Sequence, residues 1–355
     1  MAYTTIDNPA DYFNTVLYTG DASSPRTISG VGFQPDLNWS KSTNSADYDH
    51  NVADSVRGTS AYYLKTNTDV AETGNPAAGY VSSFNSDGYV LTAGGSNNTN
   101  YNNNTTTYVS WNWKAGTAWS NDASATGVGT IDSSGSKNAT SGFSIISFTG
   151  SETNSQSVAH SLSSTPEMIL SRPLEVVDNW GVFHSSFDAQ HYLFLNTYGA
   201  KGSAAAMWSS LPSSTVINMG DNAAVNDDGD MIMYAWRSVQ GFSKIGTYTG
   251  NANANGPMVW TGFRPAYVMF KKTSGSNANW QVYDNKRDTE NPVDNSSLPD
   301  DSAADQTDQE IDFLSTGFKI RDTGHHVNGD DTVFIYMAFA EAPFVNSEGV
   351  PCNAR

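Results

Sequence analysis

Tyr248-Thr249-Gly250, then Pro265-Ala266-Tyr267-Val268-Met269, then Asn279-Trp280-Gln281-Val282-Tyr283 is the third occurrence of one phrase, and the repeat decides how the chain is read. The second reads Phe148-Thr149-Gly150, Pro166-Glu167-Met168-Ile169-Leu170, Asn179-Trp180-Gly181-Val182-Phe183. The first reads Tyr18-Thr19-Gly20 and Pro35-Asp36-Leu37-Asn38-Trp39, with Asn51 kept and Val52 standing where the others have tryptophan. Glycine and proline are 15 or 16 residues apart each time. Each copy closes on alternating aromatics: Tyr108 to Trp113, Met231 to Trp236, Phe334 to Phe339. Alternation of this kind marks strands. Copies about 100 residues apart suit one small domain each rather than a solenoid. An array of binding or structural units is expected, not an enzyme.

Charged residues are 15% of the 355, and Ser, Thr, Asn and Gly fill the difference, as in short strands joined by many turns. The 17 Tyr, 16 Phe and 9 Trp supply core material. With 18 basic against 36 acidic residues the net charge is −18, which argues against nucleic acid and against adhesion to anionic lipid. Cys352 has no partner, so no internal disulfide forms. The opening MAYTTIDNPA lacks a basic start and apolar core, so no secretory signal is expected, and no apolar stretch approaches a membrane span.

Long helical windows are missing. Turn signals at Asn85-Ser86-Asp87-Gly88, Asp227-Asp228-Gly229-Asp230 and Asn328-Gly329-Asp330 separate short strands. The expected fold is all-β: three tandem antiparallel β-sandwich units, jelly-roll or lectin-like, with little helix. They would span residues 1–115, 142–240 and 241–355, with 116–141 a flexible Ser/Gly/Thr-rich connector. Ser238 to Gly241 is so short a join that the last two units are expected to be one rigid body. Residues 284–312 hold ten carboxylates against Lys286 and Arg287 and read as an acidic loop.

Signatures of common catalysis are absent: no G-x-S-x-G, H-E-x-x-H, phosphate-binding or dinucleotide-binding glycine motif. His50, His160, His184, His191, His325 and His326 fall at unrelated offsets in the copies, and the turn pair His325-His326 reads as structural or solvent-facing. Asp47-Tyr48-Asp49-His50-Asn51 imitates a calcium loop, but Val52 and Gly58 stand where glycine and glutamate belong. Asp227 to Asp230 has calcium-like oxygens that a hairpin turn explains without an ion. A hydrolase would need two carboxylates across a sugar, and no pair among 36 acids stands out. Trp180 and Trp280, like Trp113, Trp236 and Phe339, read as core positions. Tyr101, Trp119 and Trp208, set among polar loop residues, are the candidates for a contact surface. No catalytic, cofactor or metal residue is expected, and receptor-binding residues are left unassigned.

MAYTTIDNPADYFNTVLYTG, GFQPDLNW, the Asp54 to Gly58 phrase DSVRG, GFSKIGTYTGNANANGPMVWTGFRPAYVMFKK, YDNKRD, FLSTGFKIRDT and IYMAFAEAPFV resemble a domain-of-unknown-function family in tailed phages of abundant marine bacteria. The resemblance spans essentially the whole chain. It implies a virion structural protein, tail-fibre-like, assembled in the host cytoplasm, with no catalytic residues to transfer. Copy one departs from the family pattern near Val52 and at Asn38-Trp39-Ser40-Lys41. The expectation is a tail-fibre or surface-appendage component aiding host recognition. Alternatives are a capsid decoration or head-fibre protein and a polysaccharide-binding or depolymerase unit. Expected partners are other virion proteins and a host surface glycan or protein, in a homo-oligomer with a trimer favoured. No nucleic acid or membrane insertion is expected.

Overall fold

The closing run of each copy forms the heart of an antiparallel sheet in a computed structural model that describes residues 2–46, 48–59, 62–74, 78–92 and 100–352. In the first repeat the strand Phe13–Thr19 pairs with Thr107–Trp113, which pairs with Leu37–Ser42, which pairs with Asn51–Asp54. The second repeat gives the same order through Phe143–Thr149, Asp230–Trp236, Met168–Pro173 and Gly181–His184. The third gives it through Ser243–Thr249, Val333–Pro343, Phe263–Lys272 and Gln281–Asp284. Each repeat adds a smaller sheet: Arg26–Ser29 with Gly88–Thr92 and Tyr80–Asn85, Gln156–Ala159 with Val216–Met219, and Met258–Trp260 with Gly317–Ile320 and Ile311–Leu314. The fold is all-β and antiparallel, and its helices are single turns such as Ala223–Asn226.

Every residue of the central strands Leu37–Ser42 and Met168–Pro173 is buried. A strand hidden on both faces needs a layer on each side. One layer is the repeat's own small sheet, sealed by a separate cluster in each repeat: Ile28, Tyr89 and Leu91; Ile146, Val158, Ile217 and Met233; Val259, Phe270, Phe318 and Phe334. The other layer is the remaining two repeats. Trp39, Trp111 and Trp113, with Trp180, Tyr234 and Trp236, and Tyr267, Trp280 and Phe339, form one cluster contributed by all three. Phe13 stacks on Phe339 at 5.0 Å, and Trp113 meets Trp236 edge-on at 6.0 Å. The repeats therefore share one central core. The first is not a separate unit before a connector, since its tryptophans stand inside that core.

Residues 116–141 are not a flexible linker. Thr117–Asn121 and Ser133–Asn138 form a hairpin that extends the second repeat's large sheet, and Trp119 packs against that repeat's inner cluster. Small polar residues suit this position because an edge hairpin buries little. In the first repeat the central strands turn buried polar side chains toward the Ile28, Tyr89 and Leu91 cluster: Asn38 Nδ2 donates to Asn112 Oδ1 at 2.8 Å, and Ser40 Oγ to Asn38 Oδ1 at 2.8 Å. The acidic stretch 284–312 is tied down: Asp284 and Ser296 are buried, and Ser296 N donates to Gln306 O.

The glycine of the Tyr-Thr-Gly phrase has a steric cause. A Cβ on Gly20, Gly150 or Gly250 would sit 1.9, 1.8 or 2.3 Å from the carbonyl oxygen of Asn103, Asp227 or Gly329. The crossing loop carries a buried asparagine, Asn102, Asn226 or Asn328, that staples the turn. Its side-chain oxygen accepts from the N–H after the glycine (Asp21, Ser151, Asn251), and its amide donates to the carbonyl of Ser23, Thr153 or Asn253. Its own carbonyl accepts from Ala22, Glu152 or Ala252, residues held at φ of 57°, 47° and 48°. Substituting Asn226→Ala is expected to destabilise by about 2–4 kcal/mol, since it orphans several buried groups. Urea unfolding measures this, and a change under about 0.5 kcal/mol would contradict the staple.

Candidate functional site

The chemically richest places are the three junctions between repeats, and they are related cyclically. Strand register places His50, Trp180 and Trp280 at one equivalent position, two residues before Val52, Val182 and Val282. His50, not Val52, thus replaces the tryptophan of the first repeat. Trp180 Nε1 donates to Lys65 O at 2.8 Å, from repeat two to one, and Trp280 Nε1 to Phe194 O at 3.0 Å, from three to two. His50 of repeat one lies against the Leu298 backbone of repeat three, completing the ring. Three backbone bonds follow the same cycle: Glu72 N to Leu174 O at 2.7 Å, Lys201 N to Thr273 O at 2.9 Å and Asp305 N to Thr43 O at 2.9 Å.

Each junction is closed by a four-residue phrase after the tryptophan position. Asp54 accepts from Arg57 Nε at 2.6 Å and, across the junction, from Tyr234 Oη at 2.7 Å, while Arg57 also reaches Glu72. Asp284 accepts from Arg287 Nε at 2.7 Å and from Trp111 Nε1 at 3.0 Å, while Arg287 reaches Asp305 at 2.9 Å. The second repeat carries His184 and Phe187 there instead. The Lys201 ammonium sits 5.3 Å over the Phe187 ring, and His184 faces the Gly246 and Tyr336 backbone. An acid–arginine–acid clamp at two junctions is thus a histidine–phenylalanine–lysine contact at the third.

A second set of buried cations stands at equivalent ends of the central strands: Lys41, Arg172 and Lys271. Arg172 Nη2 donates to the carbonyls of Asp69 (2.8 Å) and Val70 in repeat one, and Lys41 Nζ to Ser302 O at 3.3 Å in repeat three. Burial lowers all three, Lys41 to about 8 and Arg172 to about 10. Burial also raises Asp300, which faces Lys271 and accepts from Trp280 N. Arg172 and Lys41 thus reach across junctions, whereas Lys271 and Asp300 face each other within repeat three.

The calcium-like loop is otherwise engaged. Asp49 pairs with Lys65 at 2.7 Å and Asn51 is buried, while Asp47 lies outside the described residues. At Asp227 to Asp230 the structure adds a residue that the sequence did not point to: the Glu152, Asp227 and Asp228 carboxylates lie within 4.8 Å of one another. They can offer a cation three oxygens. Ala22 and Ala252 stand at the Glu152 position in the other repeats, so this cluster belongs to repeat two.

The contact-surface candidates are corrected. Tyr101 and Trp208 are both 1% exposed, Tyr101 beside the staple residue Asn102 and Trp208 packed edge-on to Phe183, and Trp119 is half-buried. Trp180, Trp280, Trp113, Trp236 and Phe339 are core, as read. Among the described residues the exposed aromatics are Tyr198 at 57% and Trp260 at 60%, neither marked by the sequence pattern. His325 and His326 lie tilted against each other, 4.0 Å between ring centres, on the surface turn His325–Asn328, and His191 pairs with Asp188 at 2.6 Å.

The fold and its junctions define a three-repeat, all-β protein closed around one core. A family model described as a domain of unknown function, DUF7483, matches residues 8–343, and the chain belongs to that family. No curated protein and no solved structure matches it significantly.

Arg57→Met strands Asp54 and Glu72 and is expected to cost about 3–5 kcal/mol. Phe187→Met, at the equivalent uncharged position, is expected to cost less than about 2 kcal/mol. Denaturant unfolding of both variants checks this, and equal losses would contradict the clamp. A second expectation concerns acid. Burial lowers His50 strongly and His160 and His184 to about 4, below their value in the unfolded chain. The unfolded chain therefore takes up protons first, so this stability is complete above about pH 6.5 and is lost as pH falls toward 4. His160 and His184 should each cost about 2 kcal/mol between pH 7 and 5. The raised Asp300 opposes this over the same window. The isolating measurement is therefore the slope of wild type minus that of His184→Gln, and a zero difference would sink the assignment.

Proposed function

We propose that this protein is a structural component of a tailed-phage virion, a tail-fibre or other surface-appendage part that takes part in host contact. The observation that carries this reading is the arrangement of the ends. All three repeats begin and finish at one end of the block, where Phe13 pairs with Trp113, Phe143 with Trp236 and Ser243 with Phe339. The terminal segments pack there too: Tyr3 Oη donates to Gly262 O at 2.6 Å, Thr4 Oγ1 to Gln240 O at 2.8 Å, and Ser347 Oγ to Asp7 at 2.6 Å. The stapled loops 20–25, 150–155 and 250–255 lie at the opposite strand ends and are largely exposed.

A block held by its near end presents three equivalent loops outward. The internal threefold arrangement also supports mounting on a threefold virion position with a single chain. The sequence resemblance to marine tailed-phage proteins supplies the biological setting, and the acidic surface suits an exposed, soluble exterior.

Cryo-electron microscopy of intact virions, with an epitope inserted at residues 151–155, tests the proposal. Label at the tail periphery, bound by antibody on intact particles, is the expected result. Label repeated over the capsid would replace it with a decoration role, and absence from virions would overturn it and favour the depolymerase reading.

A further inference from the structure

The small sheets end on equivalent edge strands whose fates differ. In repeat two the edge strand Gln156–Ala159 is covered by the chain itself. Thr130 N and Ile131 N donate to Ser157 O at 2.8 and 3.1 Å, Ser157 N donates to Thr130 Oγ1 at 2.8 Å, and Ile131 pairs parallel with Val158. Ser157 and Ala159 are consequently buried. In repeat one the equivalent Thr27 and Ser29 are polar and exposed. In repeat three they are Met258 and Trp260, apolar yet 43% and 60% exposed.

Ile320 N donates to Pro257 O and Thr261 N to Thr316 O, at 3.1 and 3.0 Å, which sets the phase of the ladder. That phase turns the backbone N–H and C=O of Met258 and Trp260 to the open edge, where they meet no partner among the described residues. Phe344 extends the apolar surface, 6.2 Å from the Trp260 ring. An open edge strand flanked by large apolar side chains is a template for strand addition.

We propose that Met258–Trp260 is a docking edge for an extended segment of another protein, which adds as a parallel strand in the way that Gly129–Ile131 adds to Gln156–Ala159. The covered repeat defines the occupant's chemistry. A small residue comes first, because a Cβ at Gly129 would lie 2.9 Å from Ser157 O. A Ser or Thr follows, its hydroxyl accepting from the Met258 N–H. A large apolar residue comes third, against Trp260. The occupant is a different chain because this protein's own segment of that kind is seated on its own repeat two. The inference stands without the virion reading.

The probe is a synthetic peptide of residues 127–133, GVGTIDS, titrated onto the full chain and read by amide hydrogen exchange. Exchange at Met258 and Trp260 should slow about tenfold, saturably, with a blue shift of Trp260 emission. The double variant Met258→Thr/Trp260→Ser, which carries the residues of repeat one on a surface strand, should lose both effects while keeping wild-type circular dichroism. No slowing in wild type at millimolar peptide, or slowing that persists in the double variant, would overturn the proposal. Wild-type dimerisation in sedimentation that the double variant lacks would assign the edge to a second copy and overturn it equally.

Discussion

Burial of both faces of the central strands is the constraint on which the rest of this structure depends. A sheet with one apolar face can stand in water beside one partner layer. Leu37–Ser42 and Met168–Pro173 leave no face for water, so each large sheet needs its own small sheet on one side and two other repeats on the other. The shared cluster holds Trp111, Trp113, Trp180, Trp236 and Trp280, each among the largest fully buried side chains. Removing one repeat would expose that surface on the remaining two. The repeat is thus a unit of sequence, and the ring of three is the unit of stability.

The polar chemistry of the junctions follows from the same geometry. A core reached from three sides must admit the ends of strands with their unpaired backbone groups, and those groups need partners. Indole N–H groups of Trp180 and Trp280 and backbone N–H groups of Glu72, Lys201 and Asp305 meet them across the junctions. The clamps then differ. Asp54 and Asp284 require a donor opposite, which Tyr234 and Trp111 supply, whereas Met337 stands at that position in repeat three and has no N–H or O–H to give. His184 and Phe187 fill the junction that faces Met337. Exchanging repeats would place a buried carboxylate against a thioether, so the side chains encode the order of the ring. Buried polar groups that fix a register at some cost in stability are a known device.

The all-β class and the core tryptophans were legible because alternating aromatics between turn residues have one ready explanation. The shared core was less so, although the unbroken run Met168-Ile169-Leu170 carries the mark of a strand hidden on both faces. Val52 takes the tryptophan position in sequence because Asn51 before it imitates Asn179-Trp180 and Asn279-Trp280, and only the pairing of Trp39 with Val52 puts His50 there instead. Tyr101 and Trp208 are buried by contacts distant in sequence: Tyr101 stands beside the Asn102 staple to Asp21, and Trp208 packs on Phe183. The hairpin at 116–141 leaves no apolar signal in the sequence, because an edge strand needs no apolar face. Trp260 carried no signal, since its exposure depends on what does not cover it.

The central claim is that three repeats form one cooperative body rather than a rigid pair and a tethered third. Differential scanning calorimetry of the intact chain at neutral pH tests it most directly. One transition with equal calorimetric and van't Hoff enthalpies is the predicted result. Two resolved transitions, with the smaller reproduced by residues 1–115 alone, would contradict it.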